Sequence, residues 1–561
     1  MQITKKRDLL INDLISLAEE KKEEKKGVLH YVFWICFPVF IFFFTYLMYN
    51  LYKTRAENEN YEIFVKATGI TIIAFLLFVL LILLYFKKLD YKKAVFFIIF
   101  ISYIGFLTYM LYTPMKVRQH DTWSNNGHYD YALYMFNNFS LPNKVFDEKE
   151  IFQFYHPTLN YFVQACFMHL FKYIGFYDNL VSSNEQLFGA CQILSCYYSF
   201  LTVVFIYKSI DLLKIKDSHK RPAIIFGAFF PRLFQFAGQL NNDPLSSLLT
   251  VISIYYLLRW YLKGKKILNI VLCATFLGFA MSTKLSSVIV CGGFALVFII
   301  EFVKTLAGKD DSLKFSSLLI QYLSFLMIVA PLGLWFQFYS HYVYKIPFNF
   351  VFRNLNANLF TGPRSYIQNS SFFDLSYYDS SNSGKIYTDD MFNLLARFIF
   401  PFYIPDCQNN FIYANPFDHY NILTYAIKTA AFGEFSYING EIPAVVIIFF
   451  GYILYFLLLF IIFYSLSNRK LFKDKVYHLS LFTVFSIIAF YLYLQLKMPF
   501  GCSMDFRYIV PIILPLALVF GCAIDKLENS SNLFSRSMSK ILVSSLVTFS
   551  SFSLVFYLVS K

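Results

Sequence analysis

His120, Asp121, His128 and Asp130 stand close together in the stretch MKVRQHDTWSNNGHYDYALYMFNNFSLP, residues 115–142. Imidazole and carboxylate side chains are the groups that proteins use as general bases and as metal ligands. The stretch directly follows a run of apolar residues that is long enough to cross a membrane. Ionisable groups at the point where a chain leaves the hydrocarbon are costly to keep and are therefore candidates for function.

Other polar groups stand at the predicted ends of separate apolar runs, and they share one predicted membrane face with the first stretch. They are Tyr155, His156, Asn241, Asn242, Asp243, Lys284, Asp505 and Arg507. Arg232 lies near the middle of a short apolar run, where a cation needs a partner or a cavity. Glu434, in a long loop, is a second acid that could act in the same place. The set predicts a composite site assembled from distant segments of the chain.

Transfer of a sugar from a lipid phosphate is a reaction that such a set could perform. The phosphate is a good leaving group, so the reaction needs cations to hold its charge more than it needs a strong general acid. The acceptor hydroxyl needs one carboxylate as general base, in contrast to the carboxylate pair of a glycosidase. Asp121 is the acid nearest to the exit of a predicted span, and Lys284 and Arg507 are candidate cations.

The composition indicates the kind of scaffold that would hold these groups. Of the 561 residues 57% are hydrophobic and only 15% are charged, with 70 Phe and 44 Tyr, which is typical of a polytopic membrane protein. A backbone in lipid must satisfy its own hydrogen bonds, so the spans are predicted to be helices. The net charge of +14 comes from short basic clusters between apolar runs, which favours the positive-inside pattern over a nucleic-acid partner.

Placing the basic clusters inside predicts an all-α protein with about 13 transmembrane helices. The N-terminus is then cytoplasmic, and the C-terminus and the polar set are extracytoplasmic. The predicted spans lie near 30–52, 61–86, 94–113, 187–213, 222–239, 245–262, 267–283, 285–304, 315–339, 443–466, 477–496, 507–524 and 540–559.

The first large outer loop is predicted to carry interfacial amphipathic helices. The segment 156–179 is apolar, but Asn160, Gln164, His169 and Lys172 recur along it at helical spacing, which favours a helix lying in the outer interface over a crossing. The sequence GHYDYALYMFNNF predicts a second such helix, with its histidine facing the site and the aspartate near the helix start in water.

Five segments follow from this reading. They are a charged cytoplasmic start (1–29), two additional helices (30–93), a transmembrane core (94–339), a large extracytoplasmic loop (340–442) and the C-terminal helices (443–561). The transmembrane core includes the first outer loop, 114–186. The large loop is predicted to fold over the site as a lid or an acceptor platform.

The order of these motifs resembles the membrane-integral glycosyltransferases of the C superfamily, in particular the protein O-mannosyltransferase and aminoarabinose-transferase branch. The resemblance starts at about residue 94 and rests on HD in the first outer loop, YHPTLNY, NNDPL, STKLSS and CSMDFRY. It implies a polyprenyl-phosphate-linked sugar donor, an inverting transfer to a glycan, lipid or protein acceptor, and an active site on the outer face of a plasma membrane. An AT-rich residue usage favours a bacterial one.

The resemblance also implies roles for individual residues. Asp121 would be the catalytic base, and Lys284, in the Thr-Lys pair at the head of a span, would bind the phosphate. The other candidates for substrate binding are His120, His128, Tyr155, His156, Asn242, Asp243, Glu434, Asp505, Arg507 and Arg232. The chain departs from the family pattern at Thr158, where Pro is usual, in the His-Asp that replaces an acidic pair, and in its two additional N-terminal spans.

Other interpretations of the same residues stay open. His120, Asp121, His128 and His156 could bind a divalent metal ion, although no cofactor is required by the scheme above. A multi-span transporter or flippase of a lipid-linked or sugar substrate is the main alternative. Transporters tend to have internal repeats and polar groups at mid-membrane depth. This sequence shows no convincing internal repeat and few charges at that depth, which disfavours a transporter. A lipid-linked oligosaccharide ligase or polymerase would share the topology and the donor type.

Overall fold

The computed structural model describes residues 38–49, 60–115, 117–119, 127–142, 152–173, 184–308, 314–346, 364–366, 374–379, 385–390, 422–433, 435, 437–467, 474–497 and 505–561. The chain divides into two compact units, Met1–Asn58 and Glu59–Lys561. The described part of the first unit is one apolar helix, α1 (Pro38–Tyr49). Every other element belongs to the second unit.

In the described ranges, the first half of the second unit consists of helices. They are α2 (Tyr61–Tyr85), α3 (Tyr91–Tyr112), α4 (His128–Asn138), α5 (Leu159–Tyr173), α6 (Asn184–Ala190), α7 (Gln192–Asp211), α8 (Asp217–Ala228), α9 (Pro231–Gly238), α10 (Asp243–Leu262), α11 (Ile267–Thr283), α12 (Cys291–Leu306) and α13 (Phe315–Val343). Two 3₁₀ helices, Phe152–Tyr155 and Leu285–Val290, precede α5 and α12.

The second half begins with a small antiparallel sheet and ends with long helices. The elements are β1 (Arg364–Tyr366), β2 (Asp374–Asp379), β3 (Lys385–Asp390), α14 (Ile422–Phe432), α15 (Glu441–Ser467), α16 (Lys475–Lys497), a 3₁₀ helix (Phe506–Ile512), α17 (Ile513–Glu528) and α18 (Leu533–Val559). The strand order is β1-β2-β3, with Arg364 opposite Asp379 and Asp374 opposite Asp390. The sheet and α14 lie in the predicted large loop, where the sequence shows no sustained apolar period.

The prediction of a helical, polytopic membrane protein is confirmed. Ten helices in the described ranges are long and apolar enough to cross a membrane by length and composition. The other three predicted spans are those near 30–52, 222–239 and 267–283. The first and third contain shorter apolar helices, α1 and α11.

The span predicted over 222–239 is two helices. α8 ends at Ala228, and α9 begins at Pro231. Proline fits the first position of a helix, where its missing N–H would have no intrahelical partner. The break places Arg232 in the first turn of a short helix that is buried along its whole length, whereas a continuous span would have placed it at mid-depth.

Burial separates the central helices from the peripheral ones. Most of the apolar window is buried within the protein in α3, α10, and the spans Leu187–Asp211 and Phe506–Glu528, whereas α2 keeps most of its apolar side chains exposed. Exposed apolar side chains on a span are suited to contact with lipid. The polar groups of the predicted site therefore lie at the ends of the buried central helices.

Candidate active site

A buried ion pair joins the start of α10 to the end of α11. Lys284 follows the last residue of α11, and its Nζ donates a hydrogen bond to Asp243 Oδ1 at the start of α10. An anion is favourable at a helix N-terminus and a cation at a C-terminus, so both charges suit their helix ends. Asn241 Oδ1 accepts a hydrogen bond from Asp243 N at 3.1 Å, and Asn242 Nδ2 donates to Thr283 O at 3.3 Å.

A second buried ion pair gives Arg232 the partner that its position requires. Arg232 Nη2 lies 3.0 Å from Asp505 Oδ1 and 3.1 Å from Oδ2, and the arginine side chain is 1% exposed. Arg232 Nη1 donates to Gln235 Oε1 and to Thr429 O. Asp505 Oδ1 also accepts from Arg507 N at 2.7 Å and so caps the 3₁₀ helix that follows.

The segment 505–508 connects the two pairs. Asp505 binds Arg232 at one end, and the ring of Tyr508 lies 4.3 Å from Lys284 Nζ at the other. Arg507 Cζ lies 5.2 Å from the centre of the same ring. Phe506 N donates to Thr429 Oγ1 at 2.9 Å, which fixes the segment against α14. Residues that are far apart in the sequence therefore form one buried band of charge.

The start of the first outer loop is bound to the turn between α9 and α10. Leu240 N donates to Gln119 Oε1 at 2.7 Å, and Gln239 Nε2 donates to Arg118 O at 3.3 Å. Gln192, at the start of α7, donates to Thr113 O at 3.1 Å and to Gly238 O at 2.7 Å. The chain thus enters the loop beside the Asn241–Asp243 segment.

Two polar residues of α5, Asn160 and Gln164, face the protein, whereas Lys172 is exposed. Asn160 Nδ2 donates to Asn241 O at 3.4 Å, and Gln164 Nε2 donates to Leu240 O at 3.0 Å. Apolar side chains such as Phe162 and Leu170 are exposed. The helical periodicity was predicted from the sequence, and its polar residues hold the same turn that carries Asp243.

Two of the predicted histidines stack next to one another. His128, buried at the start of α4, has its ring 5.8 Å from that of His156, and its Nδ1 lies 2.6 Å from Tyr161 Oη. The ring of Tyr155 is tilted against that of His156, with 4.1 Å between the ring centres. Tyr161 is on α5, one residue after Asn160, so this aromatic group adjoins the turn at 239–243.

Asp130 has the helix-start position that its sequence context predicted. Its Oδ2 accepts a hydrogen bond from Gly127 N at 2.9 Å, which satisfies an N–H outside the intrahelical ladder of α4. Burial raises the pKa of the Asp130 carboxyl, and the hydrogen bond from Gly127 opposes that rise. Asp130 is therefore half-buried against the protein rather than fully in water.

The structure brings most of the candidates together. Those in the charged band or in contact with it are Arg232, Asn242, Asp243, Lys284, Asp505 and Arg507, and the aromatic group beside it contains His128, Tyr155 and His156. His120, Asp121 and Glu434 lie outside the described residues. Within the described ranges no group of three or more His, Cys, Asp and Glu side chains could hold a metal ion, so the proposed four-ligand set stays untested.

Several residues that organise the site were missing from the sequence analysis. Tyr508 directly follows Arg507 in the quoted motif, and Gln192 is an amide at the start of an apolar span. A buried amide at the edge of a span needs hydrogen-bond partners, and this requirement was a usable signal. Gln119 and Thr429 gave no such signal, because only the fold shows that they approach the turn at 239–243 and the segment 505–508.

Comparisons with known proteins give a likeness in fold to solved structures. No family model and no curated protein matches the chain. The crystal structure of ArnT from Cupriavidus metallidurans in the apo state is similar to it, with a TM-score of 0.41 and 12% sequence identity over 83% of this chain and 75% of that one. An identity and a TM-score this low assign no chemistry to this chain.

Proposed function

We propose that the protein is a membrane glycosyltransferase that moves a sugar from a polyprenyl-phosphate donor to an acceptor at the extracytoplasmic face. The acceptor is a glycan, a lipid or a protein, and the transfer is inverting. The observation that carries the proposal is the convergence of two buried ion pairs, Asp243–Lys284 and Arg232–Asp505, with the start of the first outer loop. Both the reaction class and the donor are supported by the sequence motifs that carry these residues.

The cations have an arrangement that suits a lipid phosphate. Lys284 Nζ and Arg507 Cζ lie 4.3 and 5.2 Å from the centre of the Tyr508 ring. A phosphate beside Tyr508 would therefore be within reach of an ammonium and a guanidinium group. Such groups form charge-assisted hydrogen bonds to phosphate oxygens, and they would stabilise the charge that develops on the leaving phosphate.

Asp121 is the proposed general base. It follows Gln119 by two residues in the sequence. The amide of Gln119 binds the backbone of Leu240, which is three residues before Asp243. A carboxylate in this neighbourhood could take the proton of an acceptor hydroxyl while the cations hold the phosphate.

The proposal is tested by Asp121→Asn, with Asp130→Asn as a matched control in the same loop. The asparagine keeps the size of the side chain but cannot act as a base, so glycan transfer is expected to fall at least about 100-fold. The Asp130 variant keeps an acceptor for Gly127 N–H and should transfer at a near-normal rate. Mass spectrometry of lipid-linked sugars and surface glycans, in cells that lack the wild-type gene, measures both.

Two outcomes would contradict the proposal. Equal rates of sugar transfer by the wild type and by Asp121→Asn would show that Asp121 is not the general base. Movement of substrate across liposome membranes, with no change in the lipid-linked sugar, would instead identify a transporter or flippase.

A further inference from the structure

A second charged region lies at the opposite ends of the central helices. A cavity of about 390 Å³ is bounded by the end of α7, the end of α10, the start of α16 and the last turns of α17. Its charged lining residues are Lys214, Lys263, Asp474, Lys475 and Lys526. The volume lies within the usual range for small-ligand sites.

The cavity is separate from the candidate active site. Asp243 begins α10, and Lys263 directly follows its last residue. A rise of 1.5 Å per residue over this 20-residue helix places the two regions about 30 Å apart, which is the thickness of the hydrocarbon core. Whatever the cavity holds therefore cannot touch the groups that flank Tyr508.

The cavity lysines reach solvent, since Lys214, Lys263 and Lys475 are exposed and Lys526 is half-buried, and they differ from several buried cations of the described ranges in having no carboxylate partner. Among the residues that the structure describes, Lys214, Lys263, Lys475 and Lys526 form no ion pair. The carboxylate of Asp474 binds backbone groups, because its Oδ1 accepts hydrogen bonds from Val476 N at 2.9 Å and from Tyr477 N at 3.3 Å. By contrast, the neighbouring Lys265 is paired with Glu301.

The four lysines come from four different basic clusters of the sequence. Each cluster satisfies the positive-inside pattern by itself, and nothing in that pattern requires the clusters to share a cavity. Four lysines and one aspartate line the cavity, so its lining carries a net positive charge. A bound anion would be attracted to this lining.

We propose that this cavity binds a phosphate-bearing ligand at the membrane face opposite the glycosyl-transfer site. The ligand is either the headgroup of an anionic phospholipid or a soluble phosphate compound, since both present the same oxygens to the lysines. Basic pockets between transmembrane helices at the cytoplasmic side are suited to lipid headgroups. This site is independent of the proposed transferase activity.

The test uses the full-length protein in nanodiscs and two probes. Inorganic pyrophosphate binding is measured by calorimetry in phosphatidylcholine nanodiscs, and retention of phosphatidylglycerol is measured by native mass spectrometry. Lys475→Gln/Lys526→Gln should weaken binding by about 25-fold, because each lysine near an anionic headgroup contributes about fivefold. Lys475→Arg/Lys526→Arg keeps both positive charges and should therefore bind the probes like the wild type. This variant shows whether the two positions tolerate substitution.

Lys92→Gln/Lys314→Gln is the matched control, since both lysines are exposed, fall on the same predicted face and lie outside the cavity lining. Pyrophosphate binding that is lost only in the cavity variant identifies a site for a soluble phosphate. Loss confined to phosphatidylglycerol retention identifies a headgroup site. Absence of binding of both probes to the wild type, or equal losses in the cavity variant and the control, would overturn the proposal.

Discussion

The ammonium group of Lys284 has two duties in the proposed site, and they can be separated. It neutralises the buried Asp243 carboxylate, and it lies above the Tyr508 ring where the donor phosphate would sit. Removing one member of a buried pair leaves the other charge without compensation, at a cost of about 3–5 kcal/mol. Substituting both members removes that cost but restores no phosphate contact.

We therefore expect Lys284→Met to lower the melting temperature strongly and Asp243→Asn/Lys284→Met to recover much of the loss. Both variants should have a donor KM raised at least about tenfold, since a charge-assisted hydrogen bond contributes roughly 1.5–3 kcal/mol. Lys265→Met breaks the buried pair with Glu301 on the opposite predicted face, and it should lower stability without changing KM. A double variant with normal KM would show that Lys284 serves only Asp243.

Gly433 adapts the end of α14 to the Arg232 side chain. Its φ is +67°, a left-handed conformation that is favourable for glycine. A Cβ at this position would lie 2.7 Å from Arg232 Nη1 and 2.9 Å from Gln235 Oε1. Glycine at 433 thus allows the backbone to approach the arginine that binds Asp505.

Gly433→Ala should destabilise the protein by about 1–2 kcal/mol from the left-handed backbone alone, with a further loss from displaced Arg232. Gly308→Ala is the matched control, because Gly308 has φ +61° and an open space where the Cβ would go. Thermal unfolding of the two variants separates the backbone cost from the contact. Equal melting temperatures would mean that Arg232 moves aside without cost.

At the scale of elements, Gln192 connects α7 to the ends of α3 and α9. The variant Gln192→Leu leaves the carbonyls of Thr113 and Gly238 without their donor. Two lost hydrogen bonds to buried groups should destabilise the protein by about 2–3 kcal/mol. The entry to the first outer loop would also shift, so transfer per folded molecule should fall.

Gln321→Leu provides the comparison for Gln192→Leu. Gln321 also makes two buried hydrogen bonds, to Trp260 Nε1 and to Lys265 O, but on the predicted cytoplasmic side. Gln321→Leu should lower the melting temperature about as much as Gln192→Leu does, and it should leave sugar transfer per folded molecule unchanged. Equal transfer rates for the two variants would show that Gln192 is only a structural residue.

Sequence periodicity predicted these elements well where a helix is long and apolar. The spans over 94–113 and 187–213 correspond closely to Tyr91–Tyr112 and Leu187–Asp211. The break at Pro231 was missed because residues 222–239 form one largely apolar run across the end of α8 and the whole of α9, and the run was interpreted as a single span. The strands in the large loop were missed because β2 and β3 lack a clear alternation of apolar and polar residues.

At the scale of the whole molecule, the sequence predicted that the polar residues share one face but could not pair them. Arg232 and Asp505 are 273 positions apart, and no local pattern links residues at that separation. Topology was enough to gather the candidates, because alternating helices bring every second loop to the same side. The partners of each charge, and the cavity at the opposite ends of the helices, depend on the packing of the central helices.

The orientation of the whole molecule is open to a direct test by cysteine labelling. The C-terminal Lys561 exchanges two backbone hydrogen bonds with Ile438, at 2.8 and 3.0 Å, and so lies near the segment that carries Gly433. Lys263, at the cavity, and Ser531, after α17, are both exposed. The positive-inside pattern predicts that Lys561 faces outward and that the other two face the cytoplasm.

In a cysteine-free background, Lys561→Cys should therefore react with a membrane-impermeant maleimide in intact cells. Lys263→Cys and Ser531→Cys should react only after the membrane is permeabilised, because each thiol must be reached from the aqueous side that it faces. The fraction labelled is measured by the gel shift of a polymer-linked maleimide. The reverse pattern would place the ion pairs around Tyr508 on the cytoplasmic side, and a transferase acting at the outer face could then not use them.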